Sequence, residues 1–535
     1  MLIKRIIFCY LMFLILCVYG WSRPVGPVCS SFSYYSEPFF LVDYFPTVSY
    51  NTDNSEGCTI AAISGVITVE GRPLLWKNRD VTNHDQEFVY DSTGLYTFVG
   101  MTYAGITNQN WGGVNEVGFA IGNTNAWNFS DPVPGPDDDG LIIKQALQIC
   151  QTVDDFEWIL DSTNITGRTR PAVYHTMDAS GGMAMFEARA YSWRRYDIHD
   201  SIAAPHGYMI RANFAYSGSG SSHVGQNRHD RAIQLVEAAL QGDTLSVPYM
   251  LQTVTRDLIT PDVNPYPLPW MGSQENMPTG FVHIHDAICR DITTSMFIIQ
   301  GVLPGEDPLL STMWVMAGEP SHNVALPLWI HAGRVPQVLD GDSTSAICDR
   351  VLDMREITYH PELDDDILDL WALLDPRGGG LYESLPPLES SFIQLVADSL
   401  TSWRNGLPTP EMMGLIQDSM ANLTLETLQA WAPPNSPQHL VGYLLSHSMR
   451  LEWEPVTEDR FGRPITVQGY RIFAQDNPFQ GREFGQLIAE TANTYFNLNI
   501  SNNYQKRFFR VSAFTINSEF RNRLDNHLIY HEKDE

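Results

Sequence analysis

The chain has 535 residues, of which 44% are hydrophobic and 18% charged, and its 33 Lys and Arg against 62 Asp and Glu give a formal net charge of −29. An acidic excess of this size, unopposed by any basic patch in the sequence, excludes a generic nucleic-acid binder and disfavours anionic membrane surfaces, since both demand a basic face. The apolar fraction excludes wholesale disorder, and at roughly 100–200 residues per domain the chain holds more than one core.

The N-terminus carries Lys4 and Arg5, then an apolar run from Ile6 to Val18, then Tyr19-Gly20. This reads as a secretory signal peptide over 1–20, which places the protein in the periplasm, outside the cell or at its surface. The run is short against the ~20 residues a transmembrane helix needs, so a membrane enters only if the signal stays uncleaved. Residues 21–57 read as a pro-segment or linker ending in the polar Asn51-Thr52-Asp53-Asn54-Ser55-Glu56-Gly57. Cys9 and Cys17 leave with the signal. Cys29, Cys58, Cys150, Cys289 and Cys348 remain, an odd set without zinc-ligand spacing, and each is a candidate nucleophile.

Residues 58–339 are strand-rich. Thr59–Val69 and Pro73–Trp76 flank Glu70-Gly71 as a predicted hairpin, with further strands at Ala184–Glu187, Tyr208–Asn213, Ser295–Gln300 and Met313–Ala317. Helical periods fall at Leu141–Ile149 and Asp230–Leu240, so the reading is a layered α+β domain. Residues 340–435 read as mostly helical, with segments at Asp364–Leu374, Ser390–Trp403 and Pro410–Ala432 that either extend this domain or form a small cap. From 436 to 535 the chain turns to short alternating runs, as in a β-sandwich. There the series Trp453, Pro455, Gly462, Tyr470-Arg471-Ile472, Tyr495 and Phe509–Ala513 resembles a fibronectin type III module.

The chemistry centres on Glu56-Gly57-Cys58-Thr59. If the Gly57–Cys58 bond were cut, the thiol would carry its own base, because a free α-amine has a pKa of ~7.7–8.0 and sits within one residue of the sulfur. Glycine before the cut leaves the carbonyl open to attack. The alternative is a buried structural cysteine beside a loop. The hairpin brings the end of Lys77-Asn78-Arg79-Asp80 to the strand that starts at Cys58, so Asp80 lies near the new amine.

The stretch from Cys58-Thr59 to Asn78-Arg79-Asp80 resembles the N-terminal nucleophile (Ntn) hydrolases of the choloylglycine hydrolase, penicillin V acylase and isopenicillin-N acyltransferase group, and most of all their exported, acyltransferase-like C45-type peptidases. Asn115-Glu116-Val117-Gly118 through Asn123-Thr124-Asn125 is similar to that group's strand ending in an oxyanion-hole asparagine, with Asn125 the better match and Asn123 the other. Asp178-Ala179-Ser180-Gly181, then Gly207 to Asn213, is similar to its next hairpin and the strand with its second asparagine. Asn227-Arg228-His229-Asp230-Arg231 is similar to the segment that gives an arginine to the site. Lys77 departs from the bile-salt and penicillin V pattern, which has arginine there.

The resemblance implies a four-layer αββα Ntn core and an exported, self-processing amidohydrolase that cuts a linear C–N amide bond, in a non-peptide or N-acyl amino acid substrate, through a Cys58 thioester. Its implied site has Cys58, Asp80, Asn125, Asn213 and Arg228 as catalytic residues, Lys77, Asn78 and Arg79 as substrate-binding residues and Gly57-Cys58 as the cleavage bond. The substrate is a small amide, and no cofactor or metal is expected. The bland readings are a solvated strand end for Lys77, turn or strand-end amides for Asn125 and Asn213, and a helix-start ion pair for Arg228. His283-Ile284-His285 lacks a third metal ligand, and Asp137–Asp139 and Asp364–Asp366 read as solvated helix N-termini. An acyltransferase and a cysteine-nucleophile dipeptidase are alternatives on the same fold. From a different class comes a non-catalytic surface protein whose fibronectin-like module binds a carbohydrate or protein partner.

Overall fold

The computed structural model describes residues 56–514 apart from 220–222, 271, 275–276, 278–279, 342–343, 361–363, 376–378, 446–447, 476–485 and 500–507. The signal-like run, Cys29 and the 21–57 segment up to residue 55 therefore lie outside the described residues.

The strands begin with β1 (Gly57–Ile63), β2 (Leu74–Asp80), β3 (Gln86–Asp91), β4 (Phe98–Tyr103), β5 (Gly112–Asn115) and β6 (Ala120–Asn125). Helices α1 (Asp139–Ile149) and α2 (Val153–Thr166) follow, then β7 (Ala172–Met177), β8 (Met183–Ala188), β9 (Trp193–Asp197) and β10 (Tyr208–Arg211). After α3 (Gln226–Gln241) come β11 (Phe281–His283), β12 (Thr293–Gln300), β13 (Thr312–Ala317) and β14 (Leu326–Leu328). They make an α+β fold with two large antiparallel sheets. One has the order β10-β1-β2-β12-β13-β14, and the other runs β3 to β9 in sequence. Strand β1 lies across β6, β7 and β8 of the second sheet.

Strand alternation sorts apolar residues between two cores. In β4, Val99 and Met101 enter the large core, while Phe98 joins Phe119, Ile121 and the apolar faces of α1 and α2 in another. Helix α1 supplies Ile142, Ile143, Ala146 and Leu147 to it, the spacing of one helical face. Helix α2 starts at a capping box in which Thr152 and Asp155 satisfy each other's backbone N–H groups.

The hairpin that opens the fold differs from its sequence reading. β1 stops at Ile63, where Ser64 caps a short 3₁₀ turn over Gly65–Ile67, and β2 runs on to Asp80. Val66 and Val69, strand formers by propensity, are exposed in the connection. The predicted Asp364–Leu374 helix is also corrected. A strand, β16 (Asp364–Asp369), follows α4 (Ala346–Thr358) and β15 (Tyr359–His360), and a single helical turn ends at Leu373. β16 pairs with β11 in the register Phe281↔Asp369, and that pairing outweighs the local helical period.

Helices α5 (Leu385–Trp403) and α6 (Pro410–Ala430) complete the 340–435 region. Their Leu388, Phe392, Met413 and Leu428 belong to the same core as Ala61 and Trp76 of the hairpin. Arg256 and Glu389 fasten α5 from below, with two parallel hydrogen bonds of 2.7 Å between buried groups.

Beyond it come β17 (Val441–Leu445), β18 (Ser448–Glu452), β19 (Gly469–Gln475), β20 (Gln486–Thr491), β21 (Tyr495–Asn499) and β22 (Phe508–Phe514). They form two three-stranded antiparallel sheets, β17-β18-β21 and β20-β19-β22. Leu451 and Trp453 from the first side meet Tyr470, Ile472 and Val511 from the second in a separate small core. Among the described residues, no helix is long and apolar enough to cross a membrane.

Candidate active site

The register of β1 on β2 sets the site. Cys58 pairs with Arg79 and Gly57 with Asp80, so alternation puts Cys58, Arg79 and Lys77 on one face of the hairpin and Gly57, Thr59, Asn78 and Asp80 on the other. The first face looks toward β5 and β6, and the second meets α3.

Cys58 is buried, and burial pushes its thiol up, while the nearby Lys77 ammonium pulls it partway back. The resting group is therefore a thiol that needs a proton acceptor. Lys77 is fully buried, which brings its ammonium down to about 8 against the opposing attraction of Cys58. Its Nζ donates to Asn123 Oδ1 at 2.8 Å and to the Trp111 carbonyl at 2.9 Å. Asn123 in turn donates to Asp139 Oδ2 at 2.7 Å, and burial holds the Asp139 carboxyl above its usual range. The run Asp137–Asp139 does open a helix, but its last member is buried rather than solvated. Lys77 is likewise no solvated strand end. Arg79 is buried too, stacked at 4.1 Å on the Tyr103 ring and 4.3 Å on Trp111, with Nη1 donating to Gln86 Oε1 at 2.6 Å.

On the other face the Arg228 guanidinium gathers the site. It enters from the first turn of α3 after Gly225, whose φ of +77° and lack of a Cβ make room, since a Cβ there would lie 2.5 Å from Arg228 Nη2. Arg228 Nη1 donates to the Cys58 carbonyl and to Thr59 Oγ1, each at 2.9 Å, and Nη2 donates to Asn213 Oδ1 at 2.8 Å. Asp80 Oδ2 lies 3.1 Å from Arg228 Nη1, both groups being buried. Thr293 Oγ1 donates to Asp80 Oδ1 at 2.8 Å, whereas Oδ2 has no hydrogen-bond donor among the described residues.

Asn213 joins the two faces. Its Oδ1 also accepts the Cys58 main-chain N–H at 3.2 Å, and its Nδ2 donates to Thr124 Oγ1 at 2.9 Å and toward the Asn125 carbonyl at 3.5 Å. Gly57 must be glycine here, because a Cβ would stand 2.3 Å from Asn213 Oδ1.

The structure thus gathers Gly57, Cys58, Lys77, Arg79, Asp80, Asn125, Asn213 and Arg228 around one point. Asn78 is not among them. Its amide points away from the thiol and is spent on the carbonyls of Thr255 and Ile288, at 3.0 and 3.1 Å, and on Trp76 Nε1 at 3.0 Å. Asn123 is engaged by Lys77 and Asp139, while the Asn125 side chain has no hydrogen bond among the described residues. Cys150, Cys289 and Cys348 are buried and free, and burial drives each thiol up to about 12, so each holds its proton more firmly than an exposed thiol. His283 and His285 pair with Asp366 and Asp291, and no group of three metal-binding side chains occurs among the described residues.

Sequence reasoning missed Thr124, Thr293 and Trp111, and it read Asp139 only as part of a solvated helix N-terminus. Only Thr124, lying between two nominated asparagines in β6, carried a local signal.

No family model matches the chain, and no curated protein matches it. Among solved structures the chain is similar to two variants of conjugated bile acid hydrolase from Clostridium perfringens. Both are 12% identical to it, with TM-scores of 0.30 and 0.32, covering 51% and 54% of this chain and 92% and 95% of those. It is also similar to penicillin V acylase from Agrobacterium tumefaciens, at 13% identity and a TM-score of 0.27, covering 49% of this chain and 82% of that one. Likeness this weak assigns no role to any residue here.

Proposed function

We infer that the protein is a self-processing amidohydrolase of the αββα Ntn type, with Cys58 as nucleophile and its own amine as base. The observation that carries this reading is the treatment of the Cys58 main-chain nitrogen. That nitrogen donates to Asn213 Oδ1, which Arg228 fixes in place, and Arg228 is charge-paired with the buried Asp80 beside it. A structural cysteine needs no such apparatus on its nitrogen. A nitrogen that is to become a catalytic amine does.

In the first turnover the Cys58 sulfur attacks the Gly57 carbonyl, the C–N bond breaks, and the thiol proton ends on the released amine. Water hydrolyses the Gly57 thioester. Thereafter the amine takes the thiol proton as the sulfur attacks a substrate amide, passes it to the leaving amine, and water resolves the acyl-enzyme. Asp80 and Asn213 orient the amine. Asn213 Nδ2 and the Asn125 amide are the donors for the tetrahedral oxyanion, and losing one such donor costs roughly 3–4 kcal/mol of barrier. An amine in place of water would make the same thioester a transferase intermediate. The signal-like N-terminus supports export, and the two small C-terminal sheets, read as a fibronectin-like module, supply a surface for a carbohydrate or protein partner.

N-terminal analysis of the purified protein tests the reading. The mature chain begins at Cys58, and a chain that keeps Gly57 overturns it.

A further inference from the structure

Glu56 and Gly57 fill the ground beside the thiol, and among the described residues the groups that hold them lie C-terminal to the proposed cut. Thr82 donates its main-chain N–H at 3.3 Å and its hydroxyl at 2.8 Å to Glu56 Oε1. Trp127 Nε1 donates to the Glu56 carbonyl at 3.2 Å, and the Arg170 guanidinium lies 5.0 Å over the Trp127 ring. Gly57 is enclosed by a wall, for a Cβ on it would meet Asn213 Oδ1 at 2.3 Å and Arg228 Nη2 at 3.0 Å. Asn213 cannot swing aside without giving up its bonds to Cys58, Arg228 and Thr124.

In self-cleavage Glu56-Gly57 is the first acyl group the sulfur receives. The C–S bond forms as the Gly57–Cys58 C–N bond breaks, the thiol proton goes to the amine, and water then releases Gly57 as a carboxylate and restores the thiol. Thr82, Trp127, Asn213 and Arg228 stay behind when the acyl group departs. A substrate carbonyl must later reach the same sulfur, so its acyl chain inherits the same surroundings.

We propose that Thr82, Trp127 and the Asn213–Arg228 wall form the acyl subsite of the mature enzyme, and that its substrates are amides of N-acylglycine-like acids bearing a carboxylate arm. The wall demands a CH₂ beside the scissile carbonyl. Trp127 takes the amide carbonyl of the N-acyl group, and Thr82 takes the carboxylate. The proposal rests on the self-processing reading and adds to it the acyl half of the substrate.

Protection of Cys58 from iodoacetamide in the processed full-length protein tests it without knowledge of the leaving group. The probes are the acids acetyl-Glu-Gly, acetyl-Ala-Gly and acetyl-Glu-Ala. Acetyl-Glu-Gly protects at a concentration about tenfold below the other two, the scale of one lost hydrogen bond to a charged group or of one excluded methyl. Thr82→Val abolishes the preference for Glu over Ala and keeps the preference for Gly over Ala. Trp127→Phe, an independent variant, weakens both glycyl ligands alike. Equal protection by all three acids, or protection by none, overturns the subsite. A chain that does not begin at Cys58, or whose Cys58 is not alkylated without ligand, overturns the processing reading instead, so the two failures are distinct.

Discussion

Asn213 Oδ1 accepts the main-chain N–H of Cys58 across 3.2 Å, from a residue 155 positions away in sequence. The contact fixes the nitrogen rather than the sulfur. In the intact chain that nitrogen has one hydrogen and one acceptor. The proposed scission would give it further hydrogens, and Asp80 Oδ2, buried and without a hydrogen-bond donor among the described residues, is the nearby group with capacity to receive one.

Cys58→Ala removes the sulfur and leaves this hydrogen-bond frame intact. The variant stays uncut, with an intact mass that still includes Gly57, and hydrolyses no amide. Cleavage in the variant would place the nucleophile elsewhere, although the other described cysteines are buried and sit at about 12.

Gly57→Ala places a methyl 2.3 Å from Asn213 Oδ1 and 3.0 Å from Arg228 Nη2. Overpacking of this kind costs roughly 1–3 kcal/mol, and here it is relieved by displacing the acceptor of the Cys58 nitrogen. Thermal melts therefore show a modest loss of stability, while the uncut fraction on a denaturing gel rises far more than the melt shift suggests. A variant cut at the wild-type rate would show that the Asn213 contact has no part in cleavage.

The pH dependence of the thiol follows from Lys77. Its ammonium is the chief group drawing the Cys58 thiol down against burial, and it loses its own proton at about 8. Below that pH the cation favours the thiolate, and above it the help is withdrawn. In Lys77→Met the help is absent at every pH, so the iodoacetamide profile of Cys58 shifts to higher pH. The gap from wild type is largest below pH 8 and closes above it. Lys77→Arg, a cation that does not titrate in this range, keeps the gap closed at low pH and extends the help beyond 8.

Much of this centre is legible in the residues, for a physical reason. Cys58 and Lys77–Asp80 sit on adjacent strands of one hairpin, where pairing follows from sequence proximity, whereas Asn125, Asn213 and Arg228 were nominated only by the resemblance of their segments. What was misread depends on tertiary context. Val66 and Val69 have strand propensity but no partner strand, so the turn begins earlier than Glu70-Gly71 suggests. Asp364–Leu374 has a helical period that pairing with β11 overrides. Asn78 looked equivalent to Lys77 and Arg79, but its amide is engaged by the carbonyls of Thr255 and Ile288. Asp139 was read as solvated and Thr82 was not singled out, because their roles depend on where Asn123 and Glu56 come to rest.

The buried pair of Arg228 and Asp80 supports the site as well as shaping it. Arg228→Met leaves the Asp80 carboxylate in the interior without its counter-charge and strips the Cys58 carbonyl, Thr59 and Asn213 of a shared donor. Removing one partner of a buried pair costs roughly 3–5 kcal/mol. Urea denaturation in the Cys58→Ala background, where cleavage cannot confuse the comparison, is expected to show a loss of that size. The double variant with Asp80→Asn recovers part of it, because the orphaned charge is gone.

Glu389 makes the equivalent test for the helical region. It is fully buried on α5, takes two hydrogen bonds from Arg256, and also accepts the Ala325 N–H at 2.8 Å. Ala325 belongs to the segment leading into β14, and Arg256 also donates to the carbonyls of Pro320 and Asn323, so one carboxylate joins α5 to the edge of the six-stranded sheet. Glu389→Ala strands the Arg256 charge and frees the Ala325 N–H, for an expected loss again of roughly 3–5 kcal/mol. Since Leu388 and Phe392 lie in the same core as the hairpin, the loss appears as a lower midpoint for the transition that also exposes Trp76. Were residues 340–435 an independent cap, Glu389→Ala would instead split off a separate early transition and leave the hairpin's midpoint where it was, which differential scanning calorimetry would resolve.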